Sequence, residues 1–403
     1  MNIIPYNNRF PNDIPRATTS PAGALKSGTG RWRGALLRLL LYLLAIAGMV
    51  AILAMDAWGA LVRQRGVENG LAADLPPLAQ PRYAVNVALD RYSDRQALEA
   101  LETIRALGFR TIRQRFPWAD IEPVEGEFRW EKWDGLVSLA QANDLQMIAV
   151  LDTSPAWARP SWEADNPLAP PASPEMLARF AAALAGRYGD AILAYQIWDQ
   201  PNIWPHWGSG AIDPAGYVDL LRHVGQAIRE VDPKAHIIAG ALAPNTEPGG
   251  RNMSDVLFLH EIYRLGAGAL FDVLGVYPYG FWSGPDDRRV DPRVLNFSRV
   301  ILLREEMLRR NEGHKPVWAL DGGWCALPAN WQGQPSPQGS DVMTVQADRL
   351  DRALERIERE WPWMTLVALQ HFWPDLPPTD PTWGYALIDP QGKATPLLDA
   401  FDR

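Results

Sequence analysis

Two stretches of this chain place a carboxyl or an amide just where an apolar run ends. Trp198-Asp199-Gln200-Pro201-Asn202 closes the run Ile192–Trp198, and Asp321-Gly322-Gly323-Trp324 follows Pro316–Leu320. Asp199 and Asp321 are titratable, and two carboxyls facing one substrate can divide the work of proton donor and base or nucleophile. Gln200 has the reach of a glutamate but carries an amide, which forms hydrogen bonds and delivers no proton in the neutral pH range. These three residues are the catalytic candidates. Arg113, in Arg113-Gln114-Arg115, is expected to pair with an active-site carboxylate, with a buried structural ion pair as the alternative. The six histidines have no close metal-ligand spacing, and His206 and His371 are read as hydrogen-bonding or packing residues. Cys325 is the only cysteine, so an intrachain disulfide and a cysteine-rich zinc site are excluded. No metal or cofactor is expected.

The elements that must position these groups repeat along the chain. Eight short apolar runs occur at Tyr83–Ala88, Arg110–Arg115, Gln146–Leu151, Ile192–Trp198, His236–Leu242, Phe271–Val276, Pro316–Leu320 and Thr365–Phe372. Amphipathic stretches lie between them at Asp94–Leu107, Trp130–Ala142, Pro174–Tyr188, Pro214–Val231, Val300–Arg310 and Asp341–Trp361. Strands alternating with helices imply βαβ units and a parallel sheet. Eight units over residues 81–403 predict an α/β fold of the (β/α)8 TIM-barrel type. An open doubly wound sheet is disfavoured, because Leu89-Asp90-Arg91-Tyr92 follows the first run where a glycine-rich phosphate loop would stand.

Functional groups of such barrels sit at the C-terminal ends of strands. At these ends the chain offers Trp118, Trp157, Trp198, Asn202, Trp204, Asn245, Tyr277, Tyr279, Trp282, Trp324 and Trp373. A single tryptophan is more often a packing residue, but recurrence at successive strand ends points to a ligand. Indole faces pack on the C–H faces of pyranose rings while short polar groups hold hydroxyls. These aromatic residues, with Arg113, are therefore the expected substrate-binding set for a polysaccharide or oligosaccharide. The net charge of −8 argues against a nucleic-acid partner.

Ahead of the barrel, Leu39–Met55 is free of charge and Val62 ends the apolar character. At about 1.5 Å per residue this run reaches the lower limit for a bilayer span. Arg9, Arg16, Lys26, Arg31 and Arg33 precede it against Asp13 alone, and Arg38 stands at its edge. Positive flanks stay cytoplasmic, so the N-terminus is expected inside and the barrel outside a cell membrane. The expected organisation is a disordered cytoplasmic tail over 1–34, a single transmembrane signal anchor over 35–62, a linker over 63–80 and the barrel over 81–403. A cleaved signal peptide, with Ala57-Trp58-Gly59 as the small-residue site, is the alternative.

From Tyr83 onward the chain resembles the clan A glycoside hydrolases, the cellulase and β-xylosidase type of TIM barrel. The resemblance is carried by Phe116-Pro117-Trp118-Ala119-Asp120-Ile121-Glu122-Pro123, Trp198-Asp199-Gln200-Pro201-Asn202, Gly240-Ala241-Leu242-Ala243-Pro244, Val276-Tyr277-Pro278-Tyr279, Lys315-Pro316-Val317-Trp318 and Ala386-Leu387-Ile388-Asp389-Pro390. It implies an acid/base position at Gln200, a nucleophile position at Asp321, the residue contacting a sugar 2-hydroxyl at Asp199, and the tyrosine that steadies the nucleophile at Tyr279. Tyr277 stands where a histidine is frequent. The catalytic glutamates of that family are thus replaced by an amide and by a carboxylate one methylene shorter. Hydrolysis needs two carboxyls about 5 Å apart for retention or about 6.5–9.5 Å apart for inversion, and Asp199 with Asp321 is the remaining pair. The anchor also resembles glycosidases that trim exopolysaccharide during export. Three expectations follow. One is a membrane-anchored hydrolase acting on O-glycosidic bonds of an extracellular polysaccharide with weakened or altered catalysis. Another is a pseudo-glycosidase that binds glycan in export or surface organisation, with export-machinery partners unidentified. The last is a barrel serving only as a protein-interaction platform.

Overall fold

The computed structural model describes residues 29–68 and 83–401, so most of the expected tail and linker lies outside the described residues. The chain divides into two units, 1–61 and 62–403. In the first, helix α1 (Thr29–Gln64) is apolar around its whole circumference, with its large side chains from Leu36 to Leu61 exposed. Within Trp32–Gln64 an 18-residue window reaches a mean hydropathy of 2.5, and the helix is long and apolar enough to cross a membrane, a property it shares with signal sequences. The helix starts six residues inside the expected tail. Once the apolar run has nucleated it, each further residue adds a hydrogen bond, and nothing from Gly30 to Gly34 stops the propagation.

The second unit is an eight-stranded parallel barrel. Its elements run β1 (Ala84–Val87), α2 (Asp94–Ala106), β2 (Thr111–Arg115), α3 (Trp118–Ile121), α4 (Glu131–Ala142), β3 (Gln146–Leu151), α5 (Pro174–Tyr188), β4 (Ile192–Ile197), α6 (Pro214–Val231), β5 (Ile237–Leu242), α7 (Asp255–Arg264), β6 (Val273–Val276), α8 (Val300–Arg309), β7 (Val317–Ala319), α9 (Met343–Glu360) and β8 (Met364–Val367). Neighbours in the sheet follow chain order from β1 to β8. The ring closes through parallel bridges Tyr83↔Val367 and Asn86↔His371. Each of the eight expected runs overlaps a strand. The eighth was expected to reach Phe372, but β8 ends at Val367, and the chain beyond it bridges to β1 instead. Helix α7 was not anticipated from the sequence. Its apolar residues follow the glycine-rich Glu247–Asn252 stretch so closely that the region reads as loop.

Local sequence explains the element boundaries. Ser93 and Gln96 form a capping box at α2, and Asp213 caps α6 ahead of Pro214 at its first position. Inside the barrel, Ala84, Ile148, Ala194, Ile238, Val273, Trp318 and Leu366 pack into one buried cluster, with small residues making room for the indole of Trp318. This filling leaves the polar residues to the upper layer, where the strands end.

Residues 63–68, expected as the start of a linker, are part of the barrel unit. Arg65 makes a two-pronged pair with Glu305 at 2.7 and 2.9 Å, and Glu68 makes one with the buried Arg304 at 2.7 Å for both prongs. Trp363 Nε1 donates to the Gly66 carbonyl at 3.2 Å. Gly66 has φ +81, and a Cβ there would lie within 3 Å of the Ile301 side chain, so this tight approach requires glycine. The clasp sits at the end where the strands begin. A fragment starting at residue 81 therefore leaves Arg304 with only the Gly313 and Lys315 carbonyls. Its stability is expected to fall about 2 kcal/mol below that of a fragment starting at 62. Equal urea midpoints for the two fragments would show that the clasp contributes nothing.

Candidate functional site

Asn86 on β1, Arg113 on β2 and Gln196 on β4 point into the top of the barrel and form one buried polar layer with Asp199 and Tyr277. Arg113 is its centre. Its Nε donates to Gln196 Oε1 at 2.9 Å, one terminal nitrogen to Asn86 Oδ1 at 2.9 Å, and the other to Asp199 Oδ1 at 3.2 Å and the Tyr277 hydroxyl oxygen at 3.0 Å. Asp199 Oδ1 also accepts from Gln196 Nε2 at 2.9 Å and from the Tyr277 hydroxyl at 2.5 Å, while Oδ2 accepts from Arg115 at 2.5 Å. Burial would raise the Asp199 carboxyl, but Arg113, Arg115 and the Tyr277 hydrogen bond win, and it is held at about 2. Both oxygens of Asp199 are engaged by the protein.

Arg115 spans two carboxylates. Its other terminal nitrogen lies 2.6 Å from Asp152 Oδ2, an ion pair at the end of β3. Burial pushes the Asp152 carboxyl up to about 6, with Asp199 adding to the rise and Arg115 opposing it. The Arg115 side chain keeps 37% of its surface exposed, so it forms part of the mouth.

Across the barrel, Asp321 stands two residues past β7. Its Oδ1 accepts from the Gly322 amide at 2.7 Å, and its Oδ2 lies 3.2 Å from His371 Nε2. Asp321 acts electrostatically on Arg113, Tyr277, Tyr279 and Tyr385, and it helps raise all three tyrosines well above their usual range, mainly an effect of burial. Gln200 lies three residues past β4, partly exposed, with a side-chain amide that bonds to none of the described residues. Since all strands are parallel, Gln200 and Asp321 emerge at the same end.

Backbone strain concentrates at that end. Among the described residues, non-glycine positive φ occurs at Thr153, Trp198, Gln200, Phe281 and Asp375, all beyond strand ends, and otherwise only at Asp144 and Asn311, which follow helices α4 and α8. Each such conformation costs on the order of 1–3 kcal/mol and persists where the surroundings impose it, typically at ligand sites.

Several expected contacts with substrate do not fit this geometry. Trp118, Trp198 and Trp324 are fully buried, their indole N–H groups donating to Glu122, the His206 carbonyl and the Ser283 carbonyl. Asn202 is buried and clamps the Ala243 and Met253 backbone, and Asn245 ties its own loop to the same carbonyls. Arg113 and Tyr277 face Asp199 within the buried layer. The cause is common to all: a residue at a strand end whose side chain turns back toward the helices or the axis enters the core. Trp157, Trp204, Tyr279, Trp282 and Trp373 retain exposed surface. Sequence reasoning did not single out Asn86, Arg115, Asp152 and Gln196. A charged or amide residue within an apolar strand run was the available signal for Asn86, Arg115 and Gln196, and a carboxyl directly after the third run was the signal for Asp152. Among the described residues, no group of three or more histidine, cysteine or acidic side chains is arranged to hold a metal ion.

Comparison with known proteins places this geometry in context. A family model described as Beta-galactosidase (Glyco_hydro_42) matches residues 88–187, the stretch from just after β1 to the last turn of α5. No curated protein matches the chain. Among solved structures, a family 39 glycoside hydrolase from the gut symbiont Bacteroides cellulosilyticus WH2 superimposes with a TM-score of 0.61 at 19% identity, covering 80% of this chain and 62% of that one. The GH39 enzyme from Xanthomonas axonopodis pv. citri gives 0.58 at 17% identity, over 82% and 66%. GH5_18 from Streptomyces cattleya, solved with GlcNAc, gives 0.58 at 17% identity, over 80% and 79%. The chain thus spans less than two thirds of the length of the two GH39 proteins. At these identities the likeness establishes the fold, and the chain carries a glycoside hydrolase signature over the matched 88–187 segment.

Proposed function

We propose that this chain is a membrane-anchored, glycoside-hydrolase-like barrel that binds an extracellular polysaccharide and does not cleave it at glycosidase rates. One observation carries the reading: Asp199, the carboxyl next to Gln200 in the chain, is held ionised by two arginines and a tyrosine. An acid held at about 2 donates no proton to a leaving oxygen at neutral pH, and losing general acid catalysis removes a factor of about 10²–10⁴. The expected role of Asp199 as a displaced acid is therefore set aside in favour of a positioning role. Asp321, one methylene short of a glutamate, falls about 1 Å away from where the longer side chain would act, a further factor of about 10². The glycoside hydrolase signature, the barrel fold and the exposed aromatic residues at its mouth support carbohydrate as the ligand. The basic flank of α1 supports a cytoplasmic N-terminus with the barrel outside, and the uninterrupted helix through residues 57–59 supports retention of the anchor.

A hydrolase reading draws on Asp321 itself, which is partly exposed, lies beside His371 and is paired with no arginine among the described residues. The full chain in detergent micelles separates the readings. Glycan binding by calorimetry with no new reducing ends is the expected result. Robust cleavage that disappears in Asp321→Asn would establish the hydrolase instead, and absence of any glycan binding would favour the interaction platform.

A further inference from the structure

The loop from β6 to α8 leaves the mouth, travels to the end where the strands begin, and returns. It is long for a barrel, where such connections usually take about 2–6 residues. At the mouth it starts with Tyr277 and Tyr279, and the Gly280 amide donates to the Gly323 carbonyl at 2.8 Å. Buried Trp324 donates to the Ser283 carbonyl at 2.7 Å, and a Cβ on Gly280 would lie 2.0 Å from its indole, so only glycine fits there. From Ser283 the chain runs along α9. Arg356 donates to the Pro285 carbonyl at 2.5 Å, and Arg352 pairs with Asp286. Arg288 reaches Glu360, the last residue of α9, with both terminal nitrogens, one of them at 2.7 Å. The turning point, residues 288–290, then meets the segment ahead of the barrel. Arg288 donates to the Arg63 carbonyl at 3.0 Å, and Arg65 donates to the Val290 carbonyl at 2.7 Å. Buried Arg299 gathers the returning limb through the Pro292 carbonyl at 2.7 Å and the Val294 carbonyl at 3.1 Å.

We propose that Arg63 and Arg65 latch this loop, so that docking of the segment after the apolar run sets the conformation of one wall of the mouth. Arg63 lies in the last turn of α1, and Arg65 directly follows the helix. The Arg65 guanidinium is a planar fork fixed on Glu305 through Nε and one terminal nitrogen. Its other terminal nitrogen is thereby aimed at Val290. Between Ser283 and Arg288 the chain is short, and Pro285 and Asp286 are both tied to α9, so little slack separates the turning point from the mouth. Undocking residues 63–65 removes two hydrogen bonds from the turning point and leaves the Arg288 side chain with Glu360 alone. Glu68, in the same segment, bonds to Arg304 and to the Glu360 carbonyl and makes no bond to the loop. The coupling is reciprocal: whatever orders the mouth end of the loop also favours docking. It holds whether the mouth cleaves its ligand or only binds it.

The test is amide hydrogen exchange, read by mass spectrometry on the full chain in detergent micelles, for the parent, Arg65→Ala and Glu68→Ala. Arg65 keeps 41% of its side-chain surface exposed, so its replacement opens no cavity. Arg65→Ala is expected to speed exchange about tenfold over residues 280–294, the factor by which a hydrogen bond to a charged group holds back local opening. The acceleration includes the Gly280 and Ser283 amides at the mouth, both hydrogen-bonded in the parent. Glu68→Ala loosens the same segment from α8 and is expected to leave exchange over 280–294 at the parent rate. Unchanged exchange in Arg65→Ala would overturn the latch. Acceleration confined to 285–294 would overturn its link to the mouth. Equal acceleration in both variants would reveal general loosening of the barrel and overturn the proposal as well.

Discussion

On the glycan-binding reading proposed above, Gln200→Glu combined with Asp321→Glu is expected to turn the chain into a hydrolase. The first change supplies a proton donor at the acid position, worth about 10²–10⁴ in rate, and the second moves the attacking carboxylate outward by one methylene, worth about 10². Together they approach a gain of about 10⁴–10⁶. The scaffold is suited to the change, because the amide of Gln200 is partly exposed and makes no bond that a glutamate would break. Release of reducing ends from a glycan that the parent chain binds is the measurement. A double variant that binds as the parent does but remains inert would show that the mouth is unfit for catalysis for reasons beyond these two residues.

Asp199→Asn and Asp152→Asn are expected to shift stability in opposite directions, although Arg115 touches both carboxylates. Asp199 has a folded value of about 2, below its usual value near 4, so it adds stability above pH 4 that is lost as the pH falls from 4 towards 2. Replacing it leaves Arg113 buried beside a neutral partner, a loss of about 3–5 kcal/mol at neutral pH. Asp152 has a folded value of about 6, so the folded state holds its proton more tightly than the unfolded chain does. Its effect is a loss of stability as pH rises from about 4 to 6, constant above that. Asp152→Asn removes this loss and is expected to stabilise the protein by about 1–3 kcal/mol at pH 7, since Arg115 keeps Asp199 as its partner. Urea midpoints of the parent and the two variants between pH 3 and pH 8 give the comparison. Destabilisation by both substitutions at pH 7 would mean that Asp152 acts as a supporting counter-ion.

The alternation of apolar runs and amphipathic stretches was enough to determine an eight-unit parallel barrel, because strand and helix periodicities are local and a parallel pair demands a crossover between its strands. The same local logic placed Asp199, Gln200 and Asp321 at strand ends, and a closed parallel ring carries all such ends to one face. It located the apolar helix as well, though not its earlier start at Thr29. What only the tertiary structure decided was the direction and partner of each side chain. Trp118, Trp198 and Trp324 look the same in sequence as Trp204 and Trp282, yet the first three enter the core and the last two remain outside, since orientation depends on neighbours supplied by distant segments. Arg113 is expected from the sequence to pair with an active-site carboxylate, but only the fold shows that carboxylate to be Asp199, with Arg115 from β2 and Tyr277 past β6 brought against it as well. The clasp of Glu68 on Arg304 joins residues 236 positions apart. Electrostatic environment is a property of such long-range juxtapositions, which is why the chemistry was the part the sequence alone left open.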